Sequence, residues 1–326
     1  MSLPVEAWKL PGISPRAYQH PADRAAAAAL GRVPYLDQVV RKLVELGYER
    51  ALRAVSLGSA VRLGQEQLPH IWVLHRQVCN ALDLDGVPDL YITQFPMANA
   101  FTFGAGKPVV VLNSELVRLL DGDGQRAVLA HEAAHVHSDH VLYQTALLIL
   151  VRLGTQSLPM FAGLPLMAIR LALLEWFRAA ELSCDRAAAL LTRDPQAVCR
   201  TLMTLSAGAA AEQLNLDAFI AQGLDYDEHG TGLDRLSRLI NDLNVTHPMP
   251  VRRVRVLLDW VRSGDYDRMI GGDYLRRGDE PPLRDEADSA AAHYGQRVTA
   301  AMQSAGESVA DVGQRLGDWL SRQRDG

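Results

Sequence analysis

Three cysteines in 326 residues, with no CxxC pair among them, leave no disulfide framework to read in this chain. Cys79, Cys184 and Cys199 are odd in number and widely spaced, a usage that fits a reducing compartment. Strong charge of one sign is missing as well, since 33 Lys and Arg against 38 Asp and Glu give a formal charge of −5. Such a balance provides no field to hold a phosphate backbone, so nucleic acid is not an expected partner. Local basic clusters such as Arg252, Arg253 and Arg255 read as a solvated helix face. The opening MSLPVEAWKLPGISPRAYQH has no basic start followed by an apolar stretch. Neither a signal peptide nor an anchor is expected there, and the expected location is the cytoplasm.

What is present is enough apolar sequence, 48%, to bury a full core. The alanine run Ala25 to Ala29 reads as the end of an arm leading into a helix, with no chemistry evident in it. Helical spacing follows in Leu36, Val39, Val40, Leu43 and Leu46, and again after Pro69 in Ile71, Leu74, Val78 and Leu82. Beyond the break at Gly86-Val87-Pro88, the runs Leu90 to Thr93 and Pro108 to Leu112 have strand character and imply a small sheet. Asp121-Gly-Asp-Gly then offers turn and N-cap residues before a helix reading GQRAVLAHEAAHVHSDH. A further helix is expected after Thr246-His247-Pro248, because VRRVRVLLDWV has the right spacing.

The run HEAAH carries the first chemistry. Histidines at i and i+4 on a helix converge on one ion, because each residue advances about 100°. His131 and His135 meet that condition, and hydrolytic zinc sites take three protein ligands and one exchangeable water. Glu132, about 100° from His131, is placed to reach the water rather than the ion, which makes it a base. A chance HExxH on a surface helix has the same letters, so a third ligand decides the matter. The position six residues after His135 is Val141 and not a histidine, and Ser138 stands where the intervening turn needs glycine. Continued helical phase puts His140 about 180° and His137 about 240° from His131, which makes both surface or second-layer histidines.

Glu181, 46 residues after His135, and Asp185, at i+4 from it, share one helical face in RAAELSCDRAAA. One carboxylate suits the metal and the other suits the outer N–H of a ligand histidine. The same letters also describe a solvated stripe of Arg178, Glu181 and Asp185 with i+3 and i+4 pairing. Cys184 beside them is either a further zinc donor or a small buried packing residue.

Taken in order, these motifs resemble the HtpX-like and CAAX-prenyl-protease family of zinc metallopeptidases, in the gluzincin group. The resemblance spans roughly residues 50 to 265. It rests on Asn99-Ala100-Phe101 with Gly104, on KPVVVLNSELVRLL, on QRAVLAHEAAHVHSDH, on Glu181 to Asp185 as ExxxD, and on Thr246-His247-Pro248 with Arg253. It implies an α+β, mainly α, zincin-like fold with a small sheet and an active-site helix carrying HExxH. It further implies one zinc per chain held by His131, His135 and Glu181, with Asp185 supporting the site. By the same resemblance, Asn99 and the strand at Val109, Val110 and Val111 would bind an extended peptide or unfolded protein along a sheet edge, and His247 would steady the oxyanion. A helix-start role for His247 is equally open.

The expected organisation is an N-terminal helical arm over 1–50, a metallopeptidase domain over 51–275, and a polar linker with an amphipathic C-terminal helix over 276–326. Several relatives carry transmembrane helices that have no counterpart before HEAAH here. Residues 158 to 177 are long enough to span a bilayer but contain Pro159, Pro165, Arg170 and Glu175. Segment 141–177 is therefore read as a buried helical hairpin able to touch a membrane surface, with true insertion as its alternative. The expected activity is zinc-dependent endoproteolysis with Glu132 as general base, in protein quality control. The competing readings are a zinc-containing but catalytically silent or autoinhibited chaperone-like binding module, and a zinc hydrolase of some other carbonyl.

Overall fold

The computed structural model describes residues 8–280 apart from 32, 34, 46, 154–165 and 226–249. His247 and the rest of Thr246-His247-Pro248, part of the expected hairpin over 141–177, and the C-terminal helix expected within 276–326 lie outside the described residues.

Helices dominate, with one small sheet among them, so the α+β, mainly α class holds. Four helices open the described chain: α1 (Pro15–Tyr18), α2 (Pro21–Leu30), α3 (Leu36–Glu45) and α4 (Tyr48–Gly58). Both α1 and α2 begin on proline, whose fixed φ suits the first turn and whose missing N–H costs nothing there. After α4 come β1 (Ala60–Arg62), α5 (Pro69–Ala81), β2 (Asp89–Thr93), β3 (Ala100–Phe103) and β4 (Val109–Asn113). A short α6 (Ser114–Leu119) leads into α7 (Gly122–His137), and then come α8 (Val141–Leu153) and the long α9 (Leu166–Thr192). Among the described residues there follow α10 (Pro195–Ala207), a 3₁₀ turn (Gly208–Gln213), α11 (Leu216–Asp225), α12 (Pro250–Arg262) and α13 (Asp265–Ile270).

The sheet runs in the order β1-β2-β4-β3, with β2 parallel to β4 and β3 antiparallel to it. This corrects one expectation. Val109, Val110 and Val111 are not an edge; β4 has a strand on each side, and all three valines are fully buried. The reason is legible afterwards, because an unbroken apolar run is the mark of a strand covered on both faces. The outer strand on that side is β3, which turns into β4 through Gly104. Its φ is +100°, and a Cβ there would sit 2.7 Å from the Lys107 carbonyl oxygen, so only glycine fits.

Strand alternation divides the interior in two. Val110 and Leu112 face one core, built with Ile71, Leu82 and Leu129, while Val109 and Val111 face another, built with Leu36, Leu150 and Trp176. Helix α9 belongs to both: Ile169 to Ala180 fill the second core, and Cys184 to Leu191 fill the first. Glu181 and Asp185 therefore lie where the two cores meet. Helix α7, rich in buried alanines, packs along α9, and small side chains let helix backbones approach closely. Among the described residues no helix is long and apolar enough to cross a membrane.

Candidate metal centre

Asp121 starts the helix that carries HEAAH; its side chain accepts the Gly124 N–H at 2.8 Å, a local N-cap that the sequence announces. From Ala127 to His135 α7 is buried, and His131, Glu132 and His135 are only 6%, 1% and 0% exposed. The two rings lie 5.0 Å apart, edge to face. Their Nε2 atoms converge on one carboxyl group: His135 Nε2 is 3.2 Å from Glu181 Oε1, and His131 Nε2 is 3.4 Å from Glu181 Oε2. A tetrahedral ion with bonds of 2.0–2.1 Å separates its donors by about 3.3 Å, so the spacing suits zinc-like coordination.

Asp185 lies behind His131, its Oδ1 3.1 Å from His131 Nδ1. Arg253, on α12, reaches in and binds Asp185 through two nitrogens at 2.7 and 2.5 Å, and its third nitrogen lies 2.9 Å from Glu181 Oε2. The solvated face expected for Arg253 is thus overturned; the residue is 4% exposed. Two buried carboxylates are bound to this one guanidinium, which pays for desolvation that neither sign could bear alone. Burial raises the Asp185 carboxyl, but Arg253 and His131 outweigh it and hold the group below its usual range.

Burial lowers the His131 pKa, yet Glu181 and Asp185 more than offset this and hold it at about 9. The site favours a positive charge where a cation would bind. For His135, burial outweighs what Glu181 restores, and the group is lowered to about 4.

Glu132 Oε2 accepts a hydrogen bond from Thr102 Oγ1 of β3 at 2.7 Å. A cleft lined in part by Leu116, Val128, Leu202 and Leu205 opens beside Glu132 and His131. Of the substrate-binding residues expected from sequence, Asn99 stands just before β3, where its carbonyl accepts the Asn113 N–H at 2.9 Å. The three valines of β4 stay away from this cleft, buried within the sheet.

Residues 72–261 match the sequence profile of peptidase family M48. The chain is 34% identical to the plastoglobule-localized metallopeptidase 48 of Arabidopsis thaliana, over 78% of this chain and 74% of that protein. The chain belongs to peptidase family M48. It is also 26% identical to a protease HtpX homolog of Acaryochloris marina over 72% of this chain and 82% of that one. Against an HtpX homolog of Burkholderia multivorans the identity is 25%, over 64% and 80%. No solved structure matches the chain at a significant level. Membership of M48 makes it a metallopeptidase, a hydrolase of the HtpX-like kind expected from its motifs.

For an M48 chain the remaining surroundings hold one surprise. The helix does not continue past His137: Asp139 has φ +56°, and the turn brings His140 back under the motif, 3% exposed. Helical phase therefore says nothing about His140, whose Nδ1 lies 3.2 Å from His135 Nδ1. The second-layer alternative for His140 is the one found. His137 is half-buried, with Nδ1 2.7 Å from the Tyr18 hydroxyl. Cys184 Sγ is 3.9 Å from His140 Nδ1, and it offers His131 and His135 a third donor within 4.8 Å. Burial, with Glu181 and Asp23 nearby, raises its thiol well above the usual range.

Sequence reasoning missed Asp23, Thr102 and the burial of Arg253. No local pattern marks the first two. For Arg253 the signal was its place in the late motif, which outranked its basic neighbours.

Proposed function

We propose that this M48 protein is a zinc-dependent endopeptidase, with one zinc held by His131, His135 and Glu181 and with Glu132 as general base. The carrying observation is that both Nε2 atoms face the two oxygens of one buried carboxyl group at donor-to-donor spacing. Glu181 is favoured over Cys184 as third ligand because it faces both Nε2 atoms, whereas the sulfur lies against His140. Bound zinc supplies Lewis acidity, polarising the scissile carbonyl and lowering the pKa of a water from about 15.7 to about 7.

The chain's own groups do the rest. Glu132 takes a proton from the attacking water and returns it to the leaving amine nitrogen, a role worth about 10²–10⁴ in rate. Thr102, by donating to Oε2, fixes the direction of that carboxylate. Asp185 holds the His131 ring from behind, and Arg253 binds both carboxylates. An apolar side chain of a peptide or unfolded protein would seat in the cleft between Leu116 and Leu202. His247 remains the candidate for the oxyanion, and a role in protein quality control would follow from an unfolded substrate.

Glu132→Gln is expected to keep zinc and lose cleavage of unfolded casein. Undiminished cleavage sinks the base assignment. A wild type that binds zinc and never cleaves casein would favour the binding-module reading instead. Unchanged zinc affinity in Glu181→Ala would remove it as third ligand.

A further inference from the structure

His135 is held through the ring nitrogen that does not face Glu181. From its Nδ1, a run of buried polar groups leads out of the metal centre into the N-terminal helices. His135 Nδ1 lies 3.2 Å from His140 Nδ1, and His140 Nε2 lies 3.1 Å from Asp23 Oδ2 on α2. Ser183 of α9 donates its hydroxyl to the same Asp23 oxygen at 2.6 Å and accepts the His20 N–H at 2.9 Å. His135, His140, Asp23 and Ser183 are 0–3% exposed. The rings have little freedom, since Phe177 stacks on His135 at 6.0 Å and Trp176 meets His140 edge-on at 5.5 Å.

Hydrogen-bond chemistry assigns the protons. A carboxylate only accepts, so the His140 nitrogen facing Asp23 is an N–H. A His140 with its one proton there presents a bare Nδ1 to His135. The Glu181 carboxylate faces the other His135 nitrogen as a second acceptor, so the His135 proton goes to Nδ1, toward His140, when Nε2 gives its lone pair to a cation. Burial raises the Asp23 carboxyl, but His140 and the hydrogen bonds from His140 and Ser183 outweigh it and keep the group an acceptor.

We propose that His140 and Asp23 are positioning residues of the metal centre, a relay that holds His135 in the one tautomer and orientation able to bind a cation. The inference rests on His135 being a ligand. It gives the N-terminal segment, which bears no motif, a direct part in the site: α2 supplies the carboxylate that His135 reaches only through another imidazole. Outer partners of ligand histidines commonly contribute 10–100-fold to metal affinity.

The wild type tests this without any substitution. In zinc-loaded full-length protein carrying ¹⁵N-histidine, long-range ¹H–¹⁵N spectra should show His135 protonated on Nδ1 and His140 on Nε2 alone. His140 protonated on Nδ1, or His135 not protonated there, overturns the proposal. In chelator competition with zinc alone, Asp23→Leu and His140→Leu should bind about 10–100-fold more weakly than wild type. Asp23→Asn should lose less, because its amide oxygen can still accept from both His140 and Ser183. His135→Ala separates the two levels of the claim. If it binds zinc like wild type, the ligand reading fails. If it loses zinc while both folded leucine variants bind normally, the relay fails and the ligand reading stands. Should the leucine variants not fold, the wild-type spectrum decides.

Discussion

His131 and His135 stand one turn apart on α7, yet they are held from behind by different means. His131 meets a carboxylate directly, and that carboxylate is locked to a guanidinium. His135 meets a second imidazole, and the carboxylate comes one residue further out. The first brace is an ion network placed between the two cores by α9 and α12. The second is a chain of hydrogen bonds that draws on the N-terminal helices. Both fix a tautomer, but only the first puts a carboxylate directly behind the histidine; with Glu181 it holds His131 at about 9, while burial lowers His135 to about 4.

The largest expected effect is on the ionic side. Arg253→Met leaves Glu181 and Asp185 buried without their guanidinium, and metal-free protein should lose about 3–5 kcal/mol in urea unfolding. His140→Leu removes hydrogen bonds rather than an ion pair and should cost about 1–3 kcal/mol by the same measurement. Equal losses would erase the distinction between the braces.

A pH series on metal-free protein sharpens it further. Because the folded pKa of His131 is raised, its stabilisation is complete below the unfolded value of about 6.5 and is lost as pH climbs through about 9. His135, lowered to about 4, acts at the other end: folded protein resists its protonation, so stability falls as pH drops from about 6.5 toward 4. Asp185→Asn should flatten the alkaline limb of the stability curve, and His140→Leu should leave that limb in place. An alkaline limb unchanged by Asp185→Asn would break the link between the direct carboxylate and the His131 shift.

The smallest effect belongs to neither brace. Thr102→Val removes the donor to Glu132 and should lower kcat about two- to tenfold, for a hydrogen bond of about 0.5–1.5 kcal/mol, with zinc content unchanged. A loss of zinc in that variant would show that Thr102 acts on the metal centre and not on the base.

How far the site could be read beforehand follows from how local each signal is. HEAAH, its N-cap at Asp121 and the i, i+4 pair Glu181 and Asp185 are patterns within one helix, where 3.6 residues per turn fixes which side chains face together. The strands β2 and β4 show in their β-branched runs, but β4's place inside the sheet does not, although its unbroken valines hinted at two covered faces. For His140 the reading left surface and second layer open for a specific reason: its angle was counted along a helix that ends before it, at a residue with positive φ. Arg253 looked like one arginine among three. Its burial depends on which face of α12 meets α9, and a basic, amphipathic stretch does not say what its partner carries.

The sequence by itself determined the helix that presents His131, Glu132 and His135, the pairing of Glu181 with Asp185, and with them the family, because helical spacing and motif order survive without knowledge of neighbours. Only the tertiary structure decided what stands behind each histidine. Asp23, Ser183 and His140 come from three separate stretches of chain, and Arg253 from a fourth, and no spacing along the sequence encodes their meeting. They meet because α9 passes through both cores and carries Glu181, Ser183 and Asp185 to the seam between them, where burial without partners would cost more than the fold could bear.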